Sequence, residues 1–228
     1  MTDNESLRRL ICEIGRRMYA KNLVAASDGN ISVRLDEGQF LCTPSGVSKG
    51  FMQPTDLIVA DGQGEKIGGT GKVTSEFPTH LACYEERPDI HAVVHAHPPH
   101  AIAFTLTGIS LSEAVLPEVV AAFGGVPTSA YATPGTPEGN DVIRPLIREC
   151  DAAMLARHGS ITVGRNVEEA YFKLEKLEHA AQTLYYARQL GALRTLSADQ
   201  VDRCLAGRQA YGAIGPVYTA DLYPDKTD

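Results

Sequence analysis

Apolar residues recur every three or four positions near the start of the chain, which is the period of an amphipathic helix. The apolar face of this first helix carries Leu7, Leu10, Ile11, Ile14 and Met18. Similar patterns and start signals predict four more helices, over 75–86, 98–106, Pro117–Phe123 and Val167–Leu190. Ser197 and Gln200 form a capping box that opens a last helix.

Short β-branched and apolar runs bounded by turn residues predict strands between these helices. The runs cover Asn30–Arg34, Gln39–Cys42, 57–60, 91–97, 126–131, 152–156 and 161–164. Helices and strands alternate irregularly, so we expect an α/β fold with a mostly antiparallel central sheet. Because the sequence shows no repeat, charge block or long linker, we expect a single domain over residues 1–228.

Composition restricts the function and the compartment. The formal net charge of −7 argues against non-specific binding to nucleic acid, which needs a basic face. The five cysteines are scattered and include no C-x-x-C pair, so a disulfide framework or a cysteine–zinc cluster is not expected. The first ten residues lack an apolar signal region, and no apolar run is long enough to span a bilayer. We therefore expect a cytoplasmic protein without a membrane partner.

Histidines carry the clearest chemical signal. His95 and His97 lie two residues apart at the end of a predicted strand, so their rings point to one face. His158 follows another apolar strand and precedes Gly159, where a tight turn would expose its imidazole. Three histidines with an open fourth position are typical of a catalytic zinc site. Packing or surface positions are expected for the remaining four, His80, His91, His100 and His179.

Three short polar segments are candidates for binding a phosphate group. The first, Thr74-Ser75-Glu76, opens a predicted helix, whose free N–H groups and dipole favour an anion. The other two are the loops at 27–30, with the sequence SDGN, and at 43–46, with the sequence TPSG. The pattern is equally compatible with a simple N-cap at Thr74 or Ser75 and with two ordinary turns.

Taken in order, the motifs of the chain resemble those of a known family. The segments SDGNISVR, TPSGV, TSEFPTHLACY, VVHAHPPHA, YATPGT and LARHG follow one another between about residues 5 and 212. This series is similar to the class II aldolase/adducin family, and within it to the L-fuculose-1-phosphate aldolase branch. The resemblance implies three α/β/α layers around an antiparallel sheet. It also implies a cyclic homotetramer with active sites between subunits.

The resemblance also implies roles for individual residues. One Zn²⁺ per subunit is expected on His95, His97 and His158. Glu76 is the expected catalytic acid/base, and Tyr211 is expected to reach the site of a neighbouring subunit. The phosphate contacts are expected at Asn30, Ser45, Gly46, Thr74 and Ser75. Glu118 stands where the aldolases carry a second tyrosine from a neighbouring subunit, which makes it a candidate for substrate selectivity.

The implied activity is that of a zinc-dependent lyase. It cleaves a ketose 1-phosphate, such as L-fuculose 1-phosphate, to dihydroxyacetone phosphate and an aldehyde. Alternatives within the family are an L-ribulose-5-phosphate 4-epimerase, which has aspartate at the position of Glu76, and a methylthioribulose-1-phosphate dehydratase. An aldolase for 5-deoxy- or methylthio-pentulose phosphates is a further alternative. A non-enzymatic adducin-like scaffold is less compatible with this chain, because adducin-type members lack the three histidines.

Overall fold

A computed structural model describes residues 4–36, 38–213 and 215–223. The helices in this part of the chain are α1 Asn4–Ala20, α2 Phe77–Glu86, α3 Pro99–Thr107, α4 Pro117–Phe123, α5 Pro137–Glu149, α6 Val167–Leu190 and α7 Ala198–Ala206. The strands are β1 Asn30–Arg34, β2 Gln39–Cys42, β3 Ile58–Asp61, β4 Lys66–Gly68, β5 Ala92–Ala96, β6 Ala152–Leu155 and β7 Gly159–Gly164. Two short 3₁₀ helices cover Pro54–Asp56 and Arg208–Tyr211.

The strands form one sheet in the order β4-β3-β2-β1-β5-β7-β6. Every pair of neighbouring strands is antiparallel. At the centre of the sheet, Asn30 of β1 lies opposite His95 of β5, and His95 lies opposite Ile161 of β7. The expected α/β fold with an antiparallel sheet is therefore confirmed.

Helices cover both faces of the sheet, because successive strand residues point to opposite sides. Ala92, Val94 and Ala96 of β5 pack in one apolar cluster with residues of α1 and α6. Val93 belongs to a second cluster, on the other face, with residues of α2 and α5. The three-layer architecture follows from this alternation. His95, two residues after Val93, shares the face of α2.

Most predicted elements form near their predicted positions. Helix α1 buries Ile11, Ile14 and Met18 on its apolar face, as its period predicts. Asn166 caps α6 by accepting a hydrogen bond from the backbone N–H of Glu169. The capping box of Ser197 opens α7. No helix in the described ranges is long and apolar enough to cross a membrane.

One predicted strand is wrong and two elements were not predicted, each for a local reason. The segment 126–131 makes only a short bridge of Thr128 to Met154 rather than a strand, and Pro127 within it has no N–H to donate. Helix α5 was not predicted, because Pro145 inside it masks the helical pattern. Strand β4 was not predicted either, and with three largely exposed residues it has little apolar pattern.

Candidate functional site

The central strands bring the three predicted metal-binding histidines together. His95 is the fourth residue of β5, His97 follows the end of the strand, and His158 lies in the turn between β6 and β7. The ring centroids are 4.7 to 5.0 Å apart. One nitrogen from each ring can be chosen so that all three lie within 4.8 Å of one another.

Hydrogen bonds at the far side of two rings orient their lone pairs. His95 Nδ1 lies 2.9 Å from the carbonyl oxygen of Ser160, so the proton of the neutral ring belongs on Nδ1. His97 Nδ1 faces a carboxylate oxygen of Asp28 at 3.4 Å, which favours the same tautomer. The two Nε2 atoms then point at each other, 3.1 Å apart, with lone pairs on both.

Two facing lone pairs repel each other unless a cation lies between them. Tetrahedral zinc at about 2.0–2.1 Å from each nitrogen requires its ligand atoms to be about 3.3 Å apart. The observed spacing of 3.1 Å is close to this value. The donor set therefore fits a divalent metal ion.

Close approach of the rings requires glycine at position 159. A Cβ atom built on Gly159 would lie 2.3 Å from the carbonyl oxygen of Ala96 and 2.9 Å from carbon atoms of both His95 and His97. Such contacts are far shorter than van der Waals separation. The glycine after His158 is thus needed for close packing against β5 as well as for the turn.

Glu76 occupies the remaining side of the histidine cluster. It is the N-cap residue of α2, so the predicted caps at Thr74 or Ser75 are wrong, and its side chain makes no capping hydrogen bond. Its carboxylate oxygens instead lie 3.1 Å from His158 Nε2 and 3.4 Å from His95 Nε2. Asn30 Nδ2 donates to Glu76 Oε2 at 2.8 Å. This carboxylate lies where a fourth metal ligand or an acid/base would act.

Burial and charge set the protonation of this cluster. Burial opposes ionisation of Glu76, but the neighbouring His95 and hydrogen bonds from His158 and Asn30 outweigh it and hold the pKa of the carboxyl well below its ordinary value. Burial lowers the pKa of His95 and of His97. The two imidazoles are therefore neutral near pH 7, which is the form that binds a metal.

The three predicted phosphate-binding segments meet beside Glu76. Asn30 Nδ2 approaches Thr74 Oγ1 at 3.4 Å. The backbone N–H of Ser45 donates to the carbonyl of Lys72 at 2.9 Å, which joins the loop at 43–46 to the segment before α2. Within these three segments, Ser45, Gly46 and Ser75 are exposed to solvent. The buried Asn30 Oδ1 has no hydrogen-bond partner in the described residues.

Two further predicted site residues, Glu118 and Tyr211, belong to α4 and to the second 3₁₀ helix. Glu118 is exposed in the first turn of α4, and no described contact joins it to the cluster. The backbone of Tyr211 ends a 3₁₀ helix, but its side chain lies outside the described part of the structure. Both were expected to act on a neighbouring subunit.

A comparison with protein-family models decides the family. Residues 9–185 match the class II aldolase and adducin N-terminal domain. The chain belongs to this family. The match contains His95, His97, His158 and Glu76 in one domain.

Several relatives of this class II aldolase family member carry out different reactions. A 3-oxo-tetronate 4-phosphate decarboxylase of Cupriavidus necator is 33% identical over 80% of this chain and 85% of its own length. A 5-deoxy-D-ribulose 1-phosphate aldolase of Bacillus thuringiensis is 31% identical over 90% of this chain and 96% of its own. The crystal structure of L-fuculose-1-phosphate aldolase from Thermus thermophilus is 32% identical, with a TM-score of 0.73, over 83% of this chain and 98% of that one.

Sequence reasoning missed two charged residues beside the site of this family member. Asp28 lies in the predicted turn at 27–30, where an acidic residue is ordinary, and only the fold shows that it faces His97. Lys49 was not singled out, because lysine is usually exposed, yet here it is buried. The clearest signal for Lys49 was its position three residues after Gly46, between apolar segments.

Proposed function

We propose that this chain is a zinc-dependent class II aldolase that reversibly cleaves a ketose 1-phosphate to dihydroxyacetone phosphate and an aldehyde. One observation carries the proposal: the imidazoles of His95, His97 and His158 converge on a point that the carboxylate of Glu76 also faces. Three histidines with one further position are typical of a catalytic zinc site.

The three histidines would hold one Zn²⁺ ion per subunit. When bound, the ion would supply a Lewis acid next to the oxygens of the ketose. The hydrogen bonds to Ser160 and Asp28 fix the ring orientations of His95 and His97 before any ligand arrives.

Glu76 would transfer the proton at the carbon of dihydroxyacetone phosphate. Its low pKa keeps the carboxylate ionised and able to accept this proton in the direction of condensation. In the direction of cleavage the same group returns the proton. Asn30 donates to Glu76 Oε2 and so holds the carboxylate towards the histidines.

The polar segments around Glu76 would bind the phosphate group. The exposed hydroxyls of Ser45 and Ser75 and the backbone at Gly46 provide donors beside Asn30 and Thr74. Gly46 has a φ of 73°, a left-handed conformation that glycine adopts without strain.

The other end of the substrate would lie towards a recess beside Glu76 and His158, which polar side chains such as Thr79, Ser129 and Thr133 line in part. Small and apolar side chains, including Ala132, Pro134 and Leu155, line this recess. The recess would accept a short aldehyde. Glu118 of a neighbouring subunit would face this variable end, where its charge would disfavour an apolar terminal group and favour hydroxyls that can donate to it. Unequal changes in kcat/KM among several aldehydes for Glu118→Gln would support that role, and equal changes would contradict it.

Assembly as a homotetramer would complete the site. The support is the family resemblance, together with the exposure of Glu118, which makes no described contact with the histidine cluster. Cyclic symmetry would repeat one heterologous interface four times. Light scattering should give a tetramer, and a fully active monomer would contradict this part of the proposal.

A screen of phosphorylated ketoses, coupled to detection of dihydroxyacetone phosphate, tests the activity directly. We expect turnover of at least one ketose 1-phosphate, loss of turnover on chelation, and recovery with Zn²⁺. Metal analysis of untagged protein should give one ion per subunit. Absence of dihydroxyacetone phosphate from every ketose 1-phosphate tested would contradict the proposal.

A second candidate is decarboxylation of a 3-oxo acid phosphate, since a relative with that activity is 33% identical to this chain. Both reactions break a carbon–carbon bond next to a carbonyl group and leave an electron pair on carbon, so one metal site can support either. Release of CO₂ from 3-oxo-tetronate 4-phosphate, measured in the same preparation, distinguishes this activity from aldol cleavage.

A further inference from the structure

Lys49 is a buried cation between the loops that border the histidine cluster. Only 1% of the surface of Lys49 is exposed to solvent. The ammonium group donates to the carbonyl oxygen of Ser27 at 2.8 Å and to that of Val47 at 2.7 Å. These carbonyls belong to two different loops, one before β1 and one after β2. The side chain of Lys49 therefore joins the two loops through these two hydrogen bonds.

Each of the two joined loops carries groups of the candidate site. Ser27 directly precedes Asp28, which faces His97, and the same loop leads to Asn30, which donates to Glu76. Val47 directly follows Ser45 and Gly46, the exposed residues of the other loop. Displacement of either carbonyl would move groups that face the substrate.

The backbone around Lys49 is fixed by close packing against α1. A Cβ atom on Gly15 of α1 would lie 2.5 Å from the carbonyl oxygen of Lys49. The helix and the loop are thus in direct contact at this position. The long side chain consequently starts from a rigid point and ends at the two carbonyls.

Burial of a charged amine costs free energy, so a lysine at this buried position indicates that its charge has a role. Burial lowers the pKa of Lys49 to about 8, against the opposing effect of the carboxylates of Asp28 and Glu76. Two backbone carbonyls satisfy hydrogen bonds but do not neutralise a charge. The ammonium group therefore keeps a positive charge next to the two loops, where it acts together with the carboxylates of Asp28 and Glu76.

We propose that Lys49 is a positioning residue that ties the loops at 27–30 and 43–47 together and contributes positive potential for the phosphate group of the substrate. This proposal rests on the proposed function only for the identity of the substrate. Binding of inorganic phosphate can be measured without any turnover, so a failure of the aldolase proposal would not obscure the result.

The test compares Lys49→Met, Lys49→Gln and Lys49→Arg with Lys66→Met as a matched control on the exposed strand β4. Glutamine keeps donors without the charge, and arginine keeps the charge. For phosphate binding to the zinc-loaded protein, we expect Lys49→Met and Lys49→Gln to raise Kd at least about tenfold. Lys49→Arg should retain most of the affinity. Lys66→Met should be unchanged.

Two further readouts separate positioning from a loss of folding. Metal stoichiometry should stay normal in every variant, because the three histidines lie at the ends of β5 and β6 rather than on the two loops. With the active substrate, KM should rise more than kcat falls in Lys49→Met and Lys49→Gln. If the Lys49→Gln protein, folded and metal-loaded, binds phosphate as tightly as wild type, the assigned role of the charge is wrong. If Lys49→Arg loses as much affinity as Lys49→Met, the proposal is also overturned.

Discussion

Two clusters of charged and polar groups, each with buried members, differ in how many of their hydrogen-bonding atoms have a partner. The first, which we call the ion cluster, comprises Arg87, Asp89, Asp151, Glu169 and Lys173. The second is the histidine cluster with Glu76. The ion cluster pairs its donors with acceptors, whereas the histidine cluster directs lone pairs at one another. This difference is consistent with a stabilising role for the ion cluster and with the metal site that we propose for the histidine cluster.

Every donor in the ion cluster has a partner. The five N–H groups of Arg87 are matched by Asp89, Asp151 and two backbone carbonyls. The three N–H groups of Lys173 are matched by Asp151, Glu169 and the carbonyl of Val163. A Cβ on Gly215 would collide with Asp151, so the chain is closely packed over the cluster. The donors of this cluster are therefore satisfied within the fold.

The histidine cluster differs, because two buried polar atoms beside it lack a hydrogen-bond partner in the described part of the chain. Asn30 Oδ1 and His80 Nε2 are buried and have no hydrogen-bond partner among the described residues. His95 and His97 present facing lone pairs. The left-handed φ of 61° at Arg157, next to His158, adds a conformation that non-glycine residues rarely adopt. An arrangement of this kind is unfavourable without a bound ion.

The largest effect should follow loss of a metal ligand. For His95→Ala we expect loss of stoichiometric zinc and a fall in kcat/KM on the order of 10³-fold or more, since metal Lewis acidity contributes several kcal/mol. Elemental analysis and kinetics measure both. The control is His91→Ala, an exposed histidine at the start of the same segment. Full zinc content in His95→Ala would remove the basis for assigning this residue as a ligand.

Breaking the ion cluster should instead affect stability. Asp151→Asn leaves Arg87 and Lys173 without their shared buried carboxylate, so we expect a loss of about 3–5 kcal/mol in the free energy of unfolding. Urea denaturation measures this change. Zinc content and kcat of the folded protein should stay near wild type. A loss of zinc with unchanged stability would reverse the assignment of the two clusters.

Acid should weaken the fold near the histidine cluster. Burial lowers the pKa of His80 from 6.5 to about 4, so the unfolded chain binds more protons between these pH values. The associated stability is complete above pH 6.5 and declines by up to about 3 kcal/mol as the pH falls to 4. Urea unfolding of metal-free protein should show a shallower pH dependence for His80→Gln than for wild type. Equal pH slopes would contradict titration of His80 in this range.

A smaller effect is expected from the residue behind His97. Asp28→Asn removes the charge that faces His97 Nδ1, and we expect zinc affinity to fall about 10–100-fold. Competition with a fluorescent chelator measures this affinity. Asp89→Asn is a matched control, because Asp89 belongs to the ion cluster and should not affect zinc binding. Equal affinities for Asp28→Asn and wild type would show that Asp28 does not support the metal site.

Local patterns predicted most of the helices and strands, because caps, apolar periods and turn residues act over a few positions. The histidines were identified on the same basis, since i and i+2 residues of a strand share a face. Asp28 and Lys49 were not identified. Their importance depends on contacts with His97, Ser27 and Val47 that only folding creates. The strand predicted at 126–131 was wrong because apolar residues there pack without forming a full ladder.

The central claim is that Glu76 moves a proton at a carbon next to the metal site. Exchange of the carbon-bound proton of dihydroxyacetone phosphate with solvent, followed by NMR, isolates this step from aldehyde binding. For Glu76→Gln loaded with zinc we expect the exchange rate to fall about 10²–10⁴-fold, with zinc and phosphate binding largely kept. The exposed-residue control Glu65→Gln should exchange at the wild-type rate, and chelated wild type should not exchange. Exchange at the wild-type rate by Glu76→Gln would contradict the account, because another residue would then be the base.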